Sequence, residues 1–264
     1  MIWIIGGTKD SRSILDEVLK VREDEIIVST ATEYGGKLLE DVAKNEKVHV
    51  LSERLNVLQI ESMILEKKID LIIDASHPYA QNISNTVISM VSYLNERAEK
   101  GKEIKYVRFE RKMVDYGSEN VFKFKNLQEI IMFLNKVENK NILSTLGSNT
   151  LEEIKEIREK NNLFVRILPT TTSIQSAEEL GYLPKNIIAM QGPFSKNMNI
   201  AMLKDFKIDY LITKESGETG GELQKVEACQ ECGVKILAIK RPVLNYGIFF
   251  HTIEELIEYI VKLV

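Results

Sequence analysis

The chain has 264 residues, 44% of them hydrophobic and 28% charged, a composition typical of a globular protein with enough apolar material for two domains. A net charge of −4 and a pI near 5.7 argue against a nucleic-acid-binding protein, and no apolar run is long enough to predict a transmembrane helix. Two cysteines argue against a disulfide framework, and the first residues predict a buried strand, not a signal peptide. We therefore expect a cytoplasmic protein that contacts neither nucleic acid nor membrane.

Short apolar runs alternate with stretches of helical periodicity, a pattern that predicts βαβ units and parallel sheets. In the first half of the chain the predicted strands are Ile2–Ile5, Ile26–Ser29, Val48–Leu51, Leu71–Asp74 and Lys105–Phe109. The predicted helices between them are Ser11–Lys20, Leu58–Lys67 and Ile83–Lys100. Because these strands are almost entirely apolar, we expect helices to cover both faces of the sheet.

The second half of the chain repeats this alternation. Its predicted strands are Ile142–Ser144, Phe164–Ile167, Ile187–Met190, Tyr210–Thr213 and Lys235–Ile239. Its predicted helices are Leu151–Asn161, Ile174–Leu180, Ser195–Lys204 and Glu222–Cys232. The fold class predicted is α/β, with two parallel-sheet domains and an active site in the cleft between them.

An internal similarity helps to place the domain boundary. Residues Arg111–Gly117 and Arg241–Gly247 both run from a strand through arginine, an aspartate or asparagine, tyrosine and glycine, and a capped helix follows each. A duplicated domain ending explains this match better than chance, and it places the boundary near Val137 without a long linker. The predicted domains are residues 1–136 and 137–264.

Ligands of parallel α/β sheets bind beyond the carboxyl ends of the strands, where loops meet helix N-termini. The segment Gly6–Arg12 follows the first strand and opens a helix. Its paired glycines and free amides suit a phosphate group, and Thr8 adds a hydroxyl donor. The alternative is a tight turn that binds nothing.

The turn Asp74–Ala80 places an acid, a hydroxyl, an imidazole and a phenol at the end of the fourth strand. Such a concentration of polar groups in one turn favours a ligand site. In the alternative interpretation, Asp74 and Ser76 cap the following helix while His77 faces water.

Three loops of the second half are of the same kind. Thr145–Asn149 and Gln191–Ser195 each follow a strand and open a helix, so they can present amides to an anion. Thr213–Gly221 combines a lysine, hydroxyls and three glycines with no apolar residue. It is either ordered by a ligand or a flexible surface loop.

Two further features favour a structural interpretation. Cys229 and Cys232 form a C-x-x-C near the end of a predicted helix, and no second cysteine pair completes a zinc site. Arg12, Arg166 and Arg241 are the cations that we expect near the cleft, with surface ion pairs as the alternative.

With these loops in view, the chain resembles the precorrin-6A reductase family of cobalamin biosynthesis over nearly its whole length, in the anaerobic, cobalt-precorrin-6A branch. The segments that carry the resemblance are Gly6-Gly7-Thr8 with Arg12, Asp74–Ala80, Arg166–Thr170, Gln191–Ser195, and Thr213–Gly217 with Gly220-Gly221. The chain departs from the family pattern at Ser76, where threonine is expected, and at Asp10, where glutamate is expected. Both departures keep the type of polar group.

The resemblance implies two Rossmann-like domains and nicotinamide-dependent reduction of one double bond of (cobalt-)precorrin-6A. The implied partners are this anionic tetrapyrrole and, transiently, neighbouring pathway enzymes, and no protein-bound metal is implied. The cofactor-binding residues expected are Gly6, Gly7, Thr8, Arg12, Glu33, Ser76, Gly147, Ser148 and Gly192. The substrate-binding residues expected are Lys9, Lys196, Ser216, Gly217, Gly220 and Gly221.

Hydride transfer places negative charge on the conjugated macrocycle, which nearby donors or cations stabilise, and the reduced bond also takes up a proton. The candidates for these roles are His77, Tyr79 and Lys214, with solvent as an alternative proton source. NADH is favoured over NADPH if Glu33, near the end of the second strand, faces the adenosine ribose. In the alternative, this loop faces the tetrapyrrole.

Two other classes of function fit the same loops. One is a tetrapyrrole- or nucleotide-binding module without redox activity. The other is a group-transfer enzyme on a twin Rossmann-like fold, because the fold alone does not determine the chemistry.

Overall fold

The computed structural model describes residues 1–31, 35, 36, 39, 41–117 and 120–263. It divides into two units, the first formed by Met1–Lys112 with Pro242–Val264 and the second by Met113–Arg241. Each unit is built on one six-stranded sheet. All strand pairs in both sheets are parallel.

The strands and helices alternate along the chain as the sequence predicts. In chain order the strands are β1 (Ile2–Ile5), β2 (Ile26–Ser29), β3 (Val48–Leu51), β4 (Leu71–Asp74), β5 (Lys105–Phe109), β6 (Val121–Phe124), β7 (Asn141–Ser144), β8 (Asn162–Ile167), β9 (Ile187–Ala189), β10 (Tyr210–Lys214), β11 (Lys235–Ile239) and β12 (Ile248–Phe250). The helices are α1 (Lys9–Val21), α2 (Val57–Glu66), α3 (Gln81–Asn95), α4 (Leu127–Leu134), α5 (Leu151–Ile154), α6 (Thr171–Glu179), α7 (Lys196–Asp205), α8 (Glu222–Cys232) and α9 (Ile253–Val261).

Both sheets have the same topology. The strand order is β3-β2-β1-β4-β5-β12 in the first unit and β9-β8-β7-β10-β11-β6 in the second. The first sheet follows the 3-2-1-4-5-6 order of the Rossmann fold, and the second has the same arrangement, with β6, the first strand of its unit in sequence, in the sixth position. The order reverses between β1 and β4 in the first sheet and between β7 and β10 in the second. These two places are called the first and second switch points below.

The sixth strand of each sheet comes from across the unit boundary in the sequence. After β5 the chain forms β6, which pairs with β11 so that Phe124 lies opposite Ile239. After β11 the chain forms β12, which pairs with β5 so that Phe250 lies opposite Phe109. The second unit is therefore one continuous segment whose sixth strand precedes its first.

This division corrects the predicted boundary between residues 136 and 137. The similar segments at Arg111 and Arg241 do not each end a domain, because each leads from the fifth strand of one sheet to the sixth strand of the other. The sixth strands are absent from the predicted strands because they are edge strands with exposed side chains. Phe122 in β6 and Phe249 in β12 are both exposed, and these two strands contain no buried residue, whereas each of the other described strands contains at least one.

Two predicted helices are longer than the helices observed. α3 ends at Asn95, whose side chain accepts a hydrogen bond from the Ile104 amide and donates one to the Ile104 carbonyl at 2.8 and 2.9 Å. The predicted helix Leu151–Asn161 is α5 followed by a 3₁₀ turn over Lys155–Glu159.

Alternating strand side chains supply the core of the first unit. Ile2 and Ile4 pack into one cluster with Ile14 of α1, while Trp3 packs into another with Ile60 of α2. This alternation is the two-residue period of a strand, and each fully buried side chain of this size stabilises the fold by about 1.5–3 kcal/mol. Among the described residues, no helix has the length and apolar character needed to cross a bilayer.

Candidate functional site

The turn after β1 is shaped by its glycines and fixed by Thr8. Gly7 has a φ of +91°, which favours glycine, and a Cβ on Gly6 would lie 3.0 Å from the Ser11 hydroxyl. The Thr8 hydroxyl accepts from the Ser11 amide at 3.1 Å and donates to the Ala75 carbonyl at 3.0 Å. Thr8 therefore caps α1 and joins the loops after β1 and β4. Its predicted role as a hydroxyl donor to phosphate is corrected, because that proton is already donated to Ala75.

Beneath the first switch point lies a buried network centred on Asp74. Arg108 Nη1 lies 2.8 Å from Asp74 Oδ1, and the Ser84 and Tyr106 hydroxyls donate to Oδ2 at 2.6 and 2.7 Å. Arg108 also donates to the Ser76 hydroxyl at 3.0 Å. Strand register explains the pair, since Asp74 of β4 and Arg108 of β5 are direct neighbours.

This network keeps Asp74 ionised. Burial by itself would raise the pKa of Asp74, but the adjacent Arg108 and the hydrogen bonds from hydroxyl and amide donors outweigh it and lower the pKa. Burial and the Asp74 charge raise the pKa of Tyr106, so its phenol stays protonated. Arg108 also donates to Glu110 at 2.9 Å and lies over the ring of Tyr246 at 5.0 Å. Asp74 is therefore a positioning residue, not a proton donor.

The helix-capping interpretation of the Asp74–Ala80 turn is wrong. The N-cap of α3 is Ala80, which offers no side-chain hydrogen bond, and Asp74 bonds instead to Arg108, Ser84 and Tyr106. Asp74 and Arg108 both bind Ser76, through its amide and its hydroxyl. They therefore hold from below the turn that presents His77.

His77 and Tyr79 lie together above this network and are partly buried. The Tyr79 amide donates to His77 Nδ1 at 3.3 Å, and the two ring centroids are 5.8 Å apart. With Nδ1 as an acceptor, the neutral imidazole carries its proton on Nε2. In this form Nε2 can donate a hydrogen bond, whereas transfer of a proton requires the imidazolium.

The other predicted residues of the first unit have varied surroundings. Lys9 is exposed in the first turn of α1, and Arg12 Nε pairs with Asp16 on the same helix at 3.1 Å. The Asp10 carboxylate is buried and paired with Arg111 at 2.7 Å, which explains why an acid stands in this turn. Glu33 lies outside the described residues.

In the second unit, the loop after β7 repeats one feature of the loop after β1. The Thr145 hydroxyl donates to the Ile212 carbonyl of β10 at 2.9 Å, so a threonine again joins the two strands of the switch point. Gly147 has a φ of +84°, and Ser148 shares a hydrogen bond with Ser173 at 3.1 Å. The predicted Gly147 and Ser148 thus lie at the second switch point.

The Thr213–Gly221 loop is anchored by polar contacts, which corrects the expectation that it has nothing to bury. Glu215, Ser216 and Gly217 are buried, and Glu215 Oε2 accepts from the Arg241 amide at 2.8 Å. The carboxylate of Glu222 accepts hydrogen bonds from the Tyr116 hydroxyl and the Gly217 amide. Gly220 lies at the partly exposed end of the loop.

Two of the predicted glycines mark where the loops after β9 and β10 meet. A Cβ on Gly221 would lie 2.9 Å from Pro193 Cβ, and a Cβ on Gly192 would lie 3.0 Å from the Phe194 ring. The predicted substrate residue Lys196 pairs with Glu231 on the surface at 3.0 Å. This ion pair is half exposed and contributes little to stability.

Three cations lie on and behind these loops of the second unit. Lys225 of α8 is buried and donates to the Thr213 hydroxyl at 2.7 Å. Arg166 of β8 donates to Asn199 Oδ1 at 2.9 Å and lies over the Phe194 ring at 4.4 Å. Burial lowers the pKa of Lys225 to about 8 and that of Arg166 to about 10, and it also lowers the pKa of Lys214.

The C-x-x-C pair stands at the end of α8, as predicted for a structural pair. Cys229 is buried, and burial raises the pKa of its thiol to about 12, so it is not a reactive thiolate. A surface depression of about 630 Å³ lies at the amino end of β8, lined by Asn162, Tyr182 and Asn186 among others. It includes none of the predicted site residues.

Sequence reasoning missed two buried cations, Arg108 and Lys225. In the predicted strand Lys105–Phe109, the two-residue period puts Tyr106 and Arg108 on one face, and a cation there requires a buried partner. That pattern could have pointed to Asp74. Lys225 has no such pattern, because it looks like an ordinary helix residue four positions before Cys229.

The topology and the polar loops at both switch points define a two-unit Rossmann-like α/β protein. The chain belongs to the family described as Precorrin-6x reductase CbiJ/CobK, whose model matches residues 1–261. The family resemblance and the prediction of an α/β fold with two parallel sheets are confirmed.

Similar proteins span almost the whole chain. Cobalt-precorrin-6A reductase from Methanococcus maripaludis is 38% identical and covers 98% of both chains. The protein of the same name from Methanocaldococcus jannaschii is 35% identical, and that from Priestia megaterium is 32% identical. Each of these two alignments covers 99% of this chain and 98% of the relative. A solved CobK precorrin-6A reductase matches the fold with a TM-score of 0.77 at 15% identity, over 99% of this chain and 96% of that chain.

Proposed function

We propose that the chain is an NAD(P)H-dependent oxidoreductase that reduces one double bond of cobalt-precorrin-6A to give cobalt-precorrin-6B in cobalamin biosynthesis. The observation that carries the proposal is the full-length similarity to cobalt-precorrin-6A reductases, at 38% identity to that of Methanococcus maripaludis. The strand-end loops of both units supply polar groups that suit this chemistry.

The turn after β1 has the donor set that a dinucleotide diphosphate requires. The amides of Lys9 and Asp10 open α1, where first-turn amides have no partner within the helix. Gly7 keeps side-chain atoms away from this position, and the helix dipole favours an anion there. When bound, a nicotinamide supplies the hydride. The chain itself orients the reactants, excludes water and places a proton donor.

His77 is the first candidate for that donor. It stands in a turn held by Asp74 and Arg108, which fix its position, and as the imidazolium it would transfer a proton from Nε2. Tyr79 lies beside it, and Lys214 ends β10 in the second unit. Burial lowers the pKa of the Lys214 ammonium, which makes it a better proton donor than an exposed lysine.

The acidic side chains of the tetrapyrrole need cations and helix N-termini around the site. Lys9 and the N-terminal turn of α1 offer these in the first unit, and Lys214 with Ser216, Gly217, Gly220 and Gly221 in the second. The partners of this enzyme are the substrate and, transiently, neighbouring pathway enzymes.

We expect NADH to be preferred over NADPH, because a carboxylate at Glu33 would accept from the ribose 2′-hydroxyl and repel a 2′-phosphate. Gly35, two residues after Glu33, lies against the turn that follows β1, since a Cβ on Gly35 would lie 3.1 Å from Gly7 Cα. Glu33→Arg should shift the ratio of the two kcat/KM values towards NADPH by about 1–3 kcal/mol. A wild-type preference for NADPH, or an unchanged ratio in the variant, would contradict this assignment.

The test of the function is anaerobic incubation with cobalt-precorrin-6A and each reduced nicotinamide. The near-ultraviolet absorbance of the reduced nicotinamide should fall only when substrate is present, with a product two mass units heavier. A binding module would consume no cofactor. A group-transfer enzyme would instead be stabilised thermally by a nucleotide sugar or a methyl donor.

A further inference from the structure

The second unit holds a buried cation, Lys225, and a partly buried cation, Arg166, and neither forms an ion pair with a carboxylate of the described residues. Lys225 Nζ donates to the Thr213 hydroxyl and to no other side chain that the structure describes. Arg166 bonds through Nη1 to Asn199 Oδ1 and Met202 Sδ, and its Nε and Nη2 donate to none of the described residues. A protein that only needed to fold would gain stability by replacing such charges with apolar groups.

The two cations share one environment. Lys225 and Cys229 lie on α8, Arg166 contacts Met202 of α7, and Cys229 and Met202 belong to the same apolar cluster. α7 and α8 pack against each other over the sheet that carries Arg166 and Thr213. The two like charges repel each other, and the Glu222 carboxylate offsets part of this repulsion at Lys225.

The acid on the same helix is already engaged. Glu222 stands three residues before Lys225, but its two oxygens accept from the Tyr116 hydroxyl and the Gly217 amide. Cys229 stays a neutral thiol because burial raises its pKa to about 12. The remaining charged neighbour is Lys214, whose charge adds to the repulsion.

We propose that Arg166 and Lys225 form a binding site for an oxyanion, a carboxylate or a phosphate group, at the carboxyl ends of β8 and β10. Arg166 is held in place by Asn199 on one side and by the Phe194 ring on its face, which leaves its Nε and Nη2 edge to bind two oxygens. Lys225 supplies the second charge with the donors not used by Thr213. The loops after β9 and β10, which meet at Pro193 and Gly221, border this site.

The test measures anion binding without turnover. The anion site can therefore be disproved while the proposed reductase function holds, and the reductase function can be disproved while the anion site holds. The probes are inorganic phosphate, sodium propionate and NADH, each added against potassium chloride of equal ionic strength. The wild type should show a rise in Tm of a few degrees with phosphate, with propionate or with both. The affinity for NADH, measured by calorimetry, shows whether the bound anion is a phosphate of the cofactor or a carboxylate of the substrate.

The variants are Lys225→Met and Arg166→Gln, with Lys204→Met of the exposed face of α7 as the matched control. We expect each site variant to abolish the Tm rise, and Lys225→Met to raise the Tm of the protein without added anion. If the anion is a cofactor phosphate, the NADH dissociation constant should rise about tenfold in the site variants. If it is a substrate carboxylate, NADH binding should be unchanged and the propionate effect lost.

The proposal is overturned if phosphate and propionate stabilise the site variants as much as they stabilise the wild type and Lys204→Met. It is also overturned if neither anion stabilises the wild type beyond the chloride control. A Lys225→Met protein that is less stable than the wild type, with an unchanged anion effect, would assign the lysine a purely structural role.

Discussion

The two units share a topology but differ in how their buried charges are paired. Near the first switch point, the carboxylate of Asp74 faces the guanidinium of Arg108 at 2.8 Å, with hydroxyl donors completing its coordination. In the second unit, the ammonium of Lys225 donates to the hydroxyl of Thr213 at 2.7 Å and forms no ion pair with a carboxylate among the described residues. A compensated ion pair fixes the geometry of a turn, whereas an uncompensated cation lowers stability until an anion reaches it.

The largest effect is expected from breaking the compensated pair. Arg108→Met should lower the unfolding free energy of the first unit by about 3–5 kcal/mol, because it leaves the Asp74 carboxylate buried and unpaired. Trp3, the only tryptophan and fully buried in this unit, reports the unfolding by its fluorescence in urea.

The matched control is Arg97→Met, which removes a half-exposed arginine near Glu96 and should change stability by less than about 0.5 kcal/mol. A double variant, Asp74→Asn with Arg108→Met, should recover part of the loss, since the fully buried side chain at position 74 then carries no charge. A loss below about 1 kcal/mol for Arg108→Met alone would show that water or another cation reaches Asp74.

Removing the uncompensated cation should have the opposite sign. At pH 7 Lys225→Met should raise the unfolding free energy of the second unit by about 1–4 kcal/mol. The pKa of Lys225 falls from 10.5 to about 8 on folding because of burial, so the unfolded chain binds more protons between these pH values. The stability of the wild type therefore rises with pH across this window, and the advantage of the variant shrinks towards pH 10.5.

Amide hydrogen exchange of β10 and β11 measures the difference in stability between Lys225→Met and the wild type at pH 7 and, after correction for intrinsic exchange, at pH 9.5. Lys204→Met, an exposed substitution on α7, should leave both values unchanged. An advantage of Lys225→Met that does not depend on pH would mean that packing, not charge, is responsible.

The contrast between the units also shows what sequence could supply. Ten strands were predictable from their apolar runs, because each contributes buried residues to a core. The sixth strands were not, because Phe122 and Phe249 are exposed at edges and only tertiary pairing defines β6 and β12. The similarity between the Arg111 and Arg241 segments was real, but which sheet each sixth strand joins depends on contacts distant in the sequence.

The sequence predicted which loops carry the candidate site, but not which side chains and backbone groups bond to each other there. Ser76, His77 and the glycine turn stood out by type and position at strand ends. The partner of Asp74 could not be named, since it lies 34 residues away in a neighbouring strand. The hydroxyl of Thr8 illustrates the same limit, because its acceptor is the Ala75 carbonyl, 67 residues away.

The proton donor offers a third comparison, between His77 of the first unit and Lys214 of the second. His77→Ala should lower kcat by about 10²-fold if its Nε2 proton is used, with little change in stability because the side chain is partly exposed. Lys214→Met should then affect KM more than kcat, through loss of a substrate contact. If only the lysine variant loses kcat, the second unit supplies the proton; if neither does, solvent supplies it.

The smallest expected effect is the difference in stability loss between variants of Thr8 and Thr145, two threonines that make the same kind of hydrogen bond. Thr8 and Thr145 each donate to a backbone carbonyl across their switch point, at 3.0 and 2.9 Å, but only Thr8 also caps a helix by accepting from the Ser11 amide. Valine at position 8 removes the hydroxyl donor of the Ala75 carbonyl, whereas in Thr145→Val the Ile212 carbonyl still accepts from the backbone amide of residue 145 at 2.9 Å. Thr8→Val also removes the cap, so it should cost about 1 kcal/mol more than Thr145→Val.

Hydrogen exchange of β1 and β7 amides in the two valine variants measures this difference in stability. Thr8→Ser, which keeps the hydroxyl, should restore most of the stability lost in Thr8→Val. Equal losses in the two valine variants would mean that the cap on α1 adds nothing to the stability of the first unit.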